Sequence, residues 1–125
     1  MKKNNGQALV VLLAFMVIAI IVTTMAVALV IINSQAASEV EQGETAIRVA
    51  ESGAENALLR LIRNPAYTGT ETLTIDGGSA TVSITGTNPI SIESVGTVGD
   101  FVRRVGIDAR FEDTILVIDS WQEVF

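Results

Sequence analysis

The stretch from Ala8 to Ile32 runs for 25 residues without a charge, and it limits the fold more than any other feature of the chain. In a helix rising about 1.5 Å per residue, such a run reaches roughly 37 Å, more than the roughly 30 Å of a bilayer's hydrocarbon core. The segment is long enough to cross a membrane with some tilt. Lys2 and Lys3 precede it, whereas Glu39, Glu41 and Glu44 follow it, and the positive-inside bias then places the amino terminus in the cytoplasm. A secretory signal has a shorter apolar core, about 7–15 residues, followed by small residues at a cleavage site. Ala36-Ala37-Ser38 imitates such a site, but no proline interrupts the chain between Gly6 and Asn64 and helical character persists through it. The expectation is a retained segment.

The rest of the chain, Asn33 to Phe125, is roughly 90 residues, enough for one small domain with a modest core. It is more acidic than the whole-chain net charge of -6, because both lysines lie on the other side of the apolar run. An acidic surface without histidine argues against nucleic-acid binding. The absence of cysteine removes disulfides, thiol catalysis and cysteine metal sites. No histidine or cysteine is available to serve as a base, and the serines have no partner base, so no enzyme constellation and no cofactor site is read from the chain. Glu39, Glu41, Glu44 and Glu51 read as a solvated helix face rather than a cation site. Asp76-Gly77-Gly78 reads as a turn, since a calcium loop needs several spaced oxygen donors.

From Ser34 the pattern becomes amphipathic. Val40, Ile47, Ala54 and Leu61 recur seven apart, and Gly43, Ala50 and Ala57 form a second row of small residues. A heptad stripe of this kind suits a helix lying along another helix at close backbone approach. Glu44 and Arg48, four apart on the opposite side, form a favourable pair. Gly43 and Gly53 each cost about 1 kcal/mol relative to alanine in a helix interior, which points to bending or tight packing. A helix unbroken from Ala8 to Ile62 spans about 80 Å. Asn64-Pro65 ends it, because proline cannot continue the hydrogen-bond ladder and restricts the residue before it.

Beyond Gly69 the chain is rich in threonine, valine and isoleucine. Glu71–Ile75, the Asp76-Gly77-Gly78 turn and Ser79–Thr85 form a hairpin signature, with Ala80, Val82 and Ile84 alternating against Thr81, Ser83 and Thr85. Ile90 to Val98, Phe101 to Phe111 and a short run at Thr114–Ile118 follow, and Trp121 and Phe125 are expected to pack locally. Arg103 and Arg104 fall on opposite faces of their strand. A four- or five-stranded sheet needs a cover for one face, and the helix stripe through Ile47, Ala54, Leu58 and Leu61 supplies it. The fold class is therefore α+β, a long N-terminal helix packed on a small antiparallel sheet.

The amino terminus combines a short basic leader, a glycine at its end and an apolar helix starting directly afterwards. At Lys2-Lys3-Asn4-Asn5-Gly6 the chain resembles the type IV prepilins, whose leader is removed on the cytoplasmic side while the helix is retained. The resemblance implies processing between Gly6 and Gln7, N-methylation of the new terminus, and a membrane or filament-core segment that begins Ala8, Leu9, Val10, Val11, Leu12, Leu13. It extends through Glu51-Ser52-Gly53-Ala54-Glu55-Asn56-Ala57-Leu58, Arg63-Asn64-Pro65 and the threonine-rich hairpin, which are similar to minor pilins with a PilX-type N-terminus. Major pilins carry a glutamate at the fifth mature position, where this chain, counted from Gln7, has Val11. That departure favours a minor over a major pilin.

What the resemblance implies is a filament subunit of a prokaryotic cell envelope: leader 1–6, transmembrane or filament-core helix 7–32, amphipathic continuation 33–64 and sheet domain 65–125. Its partners would be a prepilin peptidase, other pilin or pseudopilin subunits, an inner-membrane assembly platform, and lipid before assembly. Two other readings stand beside it. One is a type II secretion pseudopilin, and the other an uncleaved single-pass membrane protein with a small extracytoplasmic binding domain.

Overall fold

The computed structural model describes residues 2–75 and 77–125, with side chains from residue 5 onward. The expected roles of Met1, of the Lys2 and Lys3 side chains and of Asp76 in its turn lie outside the described residues. One helix, α1 (Lys2–Arg63), is followed by strands β1 (Gly69–Ile75), β2 (Gly78–Thr85), β3 (Ile90–Val98), β4 (Phe101–Glu112) and β5 (Ile115–Val124). The fold is α+β, with the helix packed on a five-stranded antiparallel sheet. The chain divides into two compact units, Met1–Glu39 and Val40–Phe125.

The first unit is helix alone. Among the described residues, α1 is the one helix long and apolar enough to cross a membrane. Its two threonines are compatible with that surrounding. The Thr23 hydroxyl donates to the carbonyl of Ala19 at 2.7 Å and that of Thr24 to the carbonyl of Ile20 at 2.8 Å. Neither hydroxyl therefore enters an apolar medium unpaired.

In the second unit the strands pair in chain order, β1-β2-β3-β4-β5, each antiparallel to the next. Tight connections follow from the turn residues. Ile75 pairs with Gly78, and Gly77 between them has φ +80; Val98 pairs with Phe101 around Gly99 at φ +57. The β4–β5 turn differs, because Asp113 (φ +47) and Thr114 (φ +72) both adopt the left-handed region without a glycine. This is the geometry of a type I′ hairpin, which prefers Asn-Gly.

Alternation decides the core. On β2, Ala80, Val82 and Ile84 are buried; on β3, Ile90, Ile92, Ser94 and Gly96; on β4, Val105, Ile107 and Ala109. Against them lie Ala46, Val49, Ala50, Ala54, Ala57, Leu58 and Leu61 of α1. The outer face carries hydroxyl pairs, Thr70 with Ser83 and Thr72 with Thr81 at 3.3 Å, and the ion pair of Arg104 with Glu93. Arg103 points to the opposite face, where it donates to Glu123 at 3.0 Å.

The helix meets the sheet through its smallest residues. A Cβ placed on Gly53 would lie 2.6 Å from Ser94 Oγ, 2.7 Å from the Ala80 methyl and 2.9 Å from Val82 Cγ2. A Cβ on Gly96 would collide with the Ala46 carbonyl oxygen and lie 2.6 Å from the Ala50 nitrogen. Close approach here needs glycine on both surfaces. Gly43 is looser, with only the Arg103 guanidinium 3.4 Å away and a Phe101 ring carbon at 4.0 Å.

Four expectations change. The small row at Gly43, Ala50 and Ala57 lies on the sheet, not on a second helix, because the sheet's own glycine and alanine positions leave a matching hollow. Val40 is 63% exposed and stands outside the packed face. A strict seven-residue repeat drifts about 20° per heptad on a straight helix, so a stripe anchored at Ala54 and Leu61 has rotated away by Val40. The last strand is longer than Thr114–Ile118, since Gln122 to Val124 continue the ladder opposite Gly106 to Arg104. Phe125 is fully exposed and does not pack locally as expected, whereas Trp121, opposite Ile107 of β4, is 40% exposed.

Candidate functional site

The feature that stands out is the surface of the first unit. Every large apolar side chain from Leu9 to Ile32 is about half exposed or more, including Leu9, Val10, Val11, Leu12 and Leu13, with Phe15 reaching 72%. Ala8 is exposed as well. Full burial of one Leu, Ile, Val or Phe side chain is favourable by about 1.5–3 kcal/mol. Summed along this helix, transfer out of water is worth tens of kcal/mol, which no isolated helix in solution can forgo. A surface of this size has to be covered by lipid or by protein.

Gly6 and Gln7 stand at the entrance to this surface. Both lie within α1 and are exposed, and nothing lies within 4 Å of the position a Cβ on Gly6 would take. No packing restricts access to the bond between them.

The second unit has a complete core of its own and a side-chain clasp at the end of α1. Asn64 N–H donates to the Arg60 carbonyl at 2.8 Å, and the Asn64 side-chain oxygen accepts from Ala66 N–H at 3.2 Å, so Asn64-Pro65 turns the chain out of the helix. The turn brings Tyr67 beside Arg60. The Arg60 guanidinium donates to Asn56 Oδ1 at 3.1 Å, to the Tyr67 hydroxyl at 3.1 Å and to Glu71 Oε1 at 2.8 Å. The Tyr67 bond, above all, and Glu71 raise the pKa of Arg60 above its ordinary value, against the opposing effect of partial desolvation. The group stays charged and ties the helix end to edge strand β1.

The helix carboxylates Glu39, Glu41, Glu44 and Glu51 do not converge, and among the described residues no three acidic, histidine or cysteine side chains are grouped to hold a metal ion. Glu44 instead pairs with Arg48 at 3.7 Å. An open recess beside Ile62, Pro65, Phe111, Ile115 and Leu116 is lined chiefly by apolar side chains.

Of the stripe residues read from sequence, Gly43, Ala50, Ala54, Ala57 and Leu61 are buried, Ile47 is partly buried against the core and Val40 is exposed. The sequence reading passed over Ala46 and Val49, which a count at 46, 49, 50, 53 and 57 would have found. It also passed over Ser94 and Gly96, whose strand reads as irregular because its buried face holds a hydroxyl and a glycine. Compared with known protein families, curated proteins and solved structures, the chain matches none. Its functional reading therefore rests on its own residues.

Proposed function

We propose that this chain is a structural, minor-pilin-like subunit of a type IV pilus or related filament. A prepilin peptidase cuts between Gly6 and Gln7, and the helix of residues 7–32 stays in the cytoplasmic membrane, amino terminus inside. An inner-membrane assembly platform then moves the subunit into a filament, where helices of other pilin or pseudopilin subunits replace lipid around Ala8 to Ile32. The acidic α+β unit faces outward at the cell surface.

One observation carries this reading. An apolar helix surface without a single buried position begins directly after an accessible Gly6-Gln7 junction, while the domain after it satisfies its own core. Such a helix gains free energy equally from lipid and from like helices, so it can exchange one for the other.

The test is the intact mass of the membrane-extracted chain, produced with and without a prepilin peptidase. A product starting at Gln7 only with the peptidase, and not from a Gly6→Val variant, supports the reading. A chain that keeps Met1 to Gly6 beside an active peptidase sinks it and leaves an uncleaved single-pass anchor with an extracytoplasmic binding domain.

A further inference from the structure

We infer that the sheet supplies part of the cover for Ala8 to Ile32: the uncharged recess at the far end of the β4–β5 hairpin seats the apolar helix of a second copy of this chain. The inference rests on the filament reading above and names the surface of the second unit that receives the incoming helix.

The recess follows from the path of α1. Gly43 lies beside Phe101 and Arg103 of β4, Ala46 and Ala50 rest on Gly96 of β3, Gly53 faces Ala80 and Val82 of β2, and Arg60 reaches Glu71 of β1. The helix therefore crosses the sheet obliquely, from β4 where it enters the unit to β1 where it ends. A helix is about 10 Å wide and strands lie about 4.8 Å apart, so only about two strands are covered at any level. Where α1 has crossed to β1, the ends of β4 and β5 are left bare.

The register shows which side chains this uncovers. Leu116 pairs with Phe111, Ile118 with Ala109 and Trp121 with Ile107, and paired residues share a face. All three β5 residues therefore lie on the helix side of the sheet. Ile118 is nevertheless 45% exposed beside a fully buried Ala109. Exposed Ile62 of α1 lines the same recess.

Three features say what fits. First, none of the lining residues, Ile62, Pro65, Phe111, Thr114, Ile115 and Leu116, carries a charge. A charged helix finds no partner there, whereas the run from Ala8 to Ile32 brings no charge with it. Second, the recess is at the opposite end of the unit from Gln42 and Gly43, where the chain enters. Recess and apolar helix are different surfaces, so the contact is head-to-tail and repeats into a filament instead of closing a dimer. Third, the strip from Ile115 to Trp121 is about 20 Å of strand, against about 37 Å of apolar helix. One recess covers about half of a helix, and further neighbours cover the remainder.

The turn at the recess is strained. Asp113 (φ +47) and Thr114 (φ +72) hold the left-handed region without glycine, and Asn88 Nδ2 donates to the Phe111 carbonyl at the base of the hairpin at 3.5 Å. Strain of this kind persists where the surrounding structure holds it, and it clusters at surfaces that bind.

The chain offers a direct assay, because no lysine or arginine lies between Gln7 and Arg48 or after Arg110. Trypsin thus leaves the apolar helix in one peptide, 7–48, and the recess strand in another, 111–125. A photo-crosslinking residue replaces Ile115 or, as a second position, Ile62; Thr72, on the outer face of the sheet, is the control. Full chains are produced in cells carrying a prepilin peptidase and a pilus assembly platform, irradiated, and read by intact mass and peptide mapping. The expected result is a start at Gln7 and an adduct of two chains whose partner peptide is 7–48, formed from Ile115 and Ile62 but not from Thr72. An Ile115→Glu chain, cleaved as before, should be depleted from sheared filaments by about tenfold or more.

A Gln7 start and filaments without an adduct at either position overturn the seat and leave the filament reading intact. The same holds for an adduct to peptide 111–125 of a second copy, to lipid or to another protein, for equal adducts from Thr72 and Ile115, and for an Ile115→Glu chain that assembles as well as the parent. A Met1 start, or no filament at all, overturns both.

Discussion

Replacing Gly53 by alanine tests the helix–sheet contact directly, because two effects of known size oppose each other there. Alanine is favoured over glycine by about 1 kcal/mol inside a helix, so a glycine without a packing role should be improved by the change. At Gly53 the added methyl meets Ser94 Oγ at 2.6 Å, the Ala80 methyl at 2.7 Å and Val82 Cγ2 at 2.9 Å. Ordinary carbon contacts lie at about 3.5–4.0 Å. All three neighbours sit on strand positions, Ala80 and Val82 on β2 and Ser94 on β3. The helix cannot tilt away locally, since Ala50 and Ala46 rest on Gly96 about one and two turns earlier. Overpacking of a well-filled core costs about 1–3 kcal/mol, and three simultaneous collisions place this site in the upper part of that range. Net of the helix preference, Gly53→Ala should destabilise the second unit by about 1–2 kcal/mol. For a unit of this size that lowers the midpoint by roughly 5–15 °C. Gly43→Ala, facing only the movable end of Arg103 at 3.4 Å, should instead stabilise by about 0.5–1 kcal/mol. Urea and thermal unfolding of the full chain in detergent, followed by fluorescence of the single tryptophan, Trp121, measures both. Equal or greater stability of Gly53→Ala would refute the close contact, whatever Gly43→Ala does.

Ser94 has a fully buried hydroxyl without a hydrogen-bond partner, so Ser94→Ala should stabilise by about 1 kcal/mol, seen as a higher urea midpoint. Because the same substitution removes the nearest atom to the Gly53 position, the pair Gly53→Ala and Ser94→Ala should couple by at least about 0.5 kcal/mol in a double-mutant cycle. Strict additivity would contradict the contact. At the β4–β5 turn, Asp113→Asn with Thr114→Gly should relieve left-handed strain and stabilise by about 1 kcal/mol; an unchanged midpoint would count against it. Tyr67→Phe removes an acceptor from Arg60 and should cost about 0.5–1.5 kcal/mol, with faster amide exchange in β1 than in β4 as its signature.

Helix, strands and their order were legible in the chain because each rests on local rules. Asn64-Pro65 marks the helix end whatever the helix packs on, and the alternation in Ser79–Thr85 exposes one face and buries the other in any antiparallel sheet. The Gly6-Gln7 junction is likewise a feature of neighbouring residues, and its cleavage is a proposal for the mass measurement to decide. The clasp of Arg60, Tyr67 and Glu71 was not legible. It joins Arg60 to residues seven and eleven positions further on, across a turn whose geometry only the folded chain defines.

The sequence by itself determined that Ala8 to Ile32 must be covered by lipid or protein, since an uncharged run of that length has no other low-energy surrounding. It also determined that the remainder supports one small α+β unit, because heptad spacing and strand alternation are properties of the chain. Tertiary structure alone decided what the small residues are for. Gly43, Gly53, Ala50 and Ala57 could equally face a second helix or a sheet, as both partners reward close approach. The choice was made by Ala80, Ser94 and Gly96, which strand pairing aligns into a hollow that the sequence keeps on separate strands. Val40 was turned outward by the same contact, because once Ala54 and Leu61 are seated the drift between 3.5- and 3.6-residue repeats rotates it off the sheet.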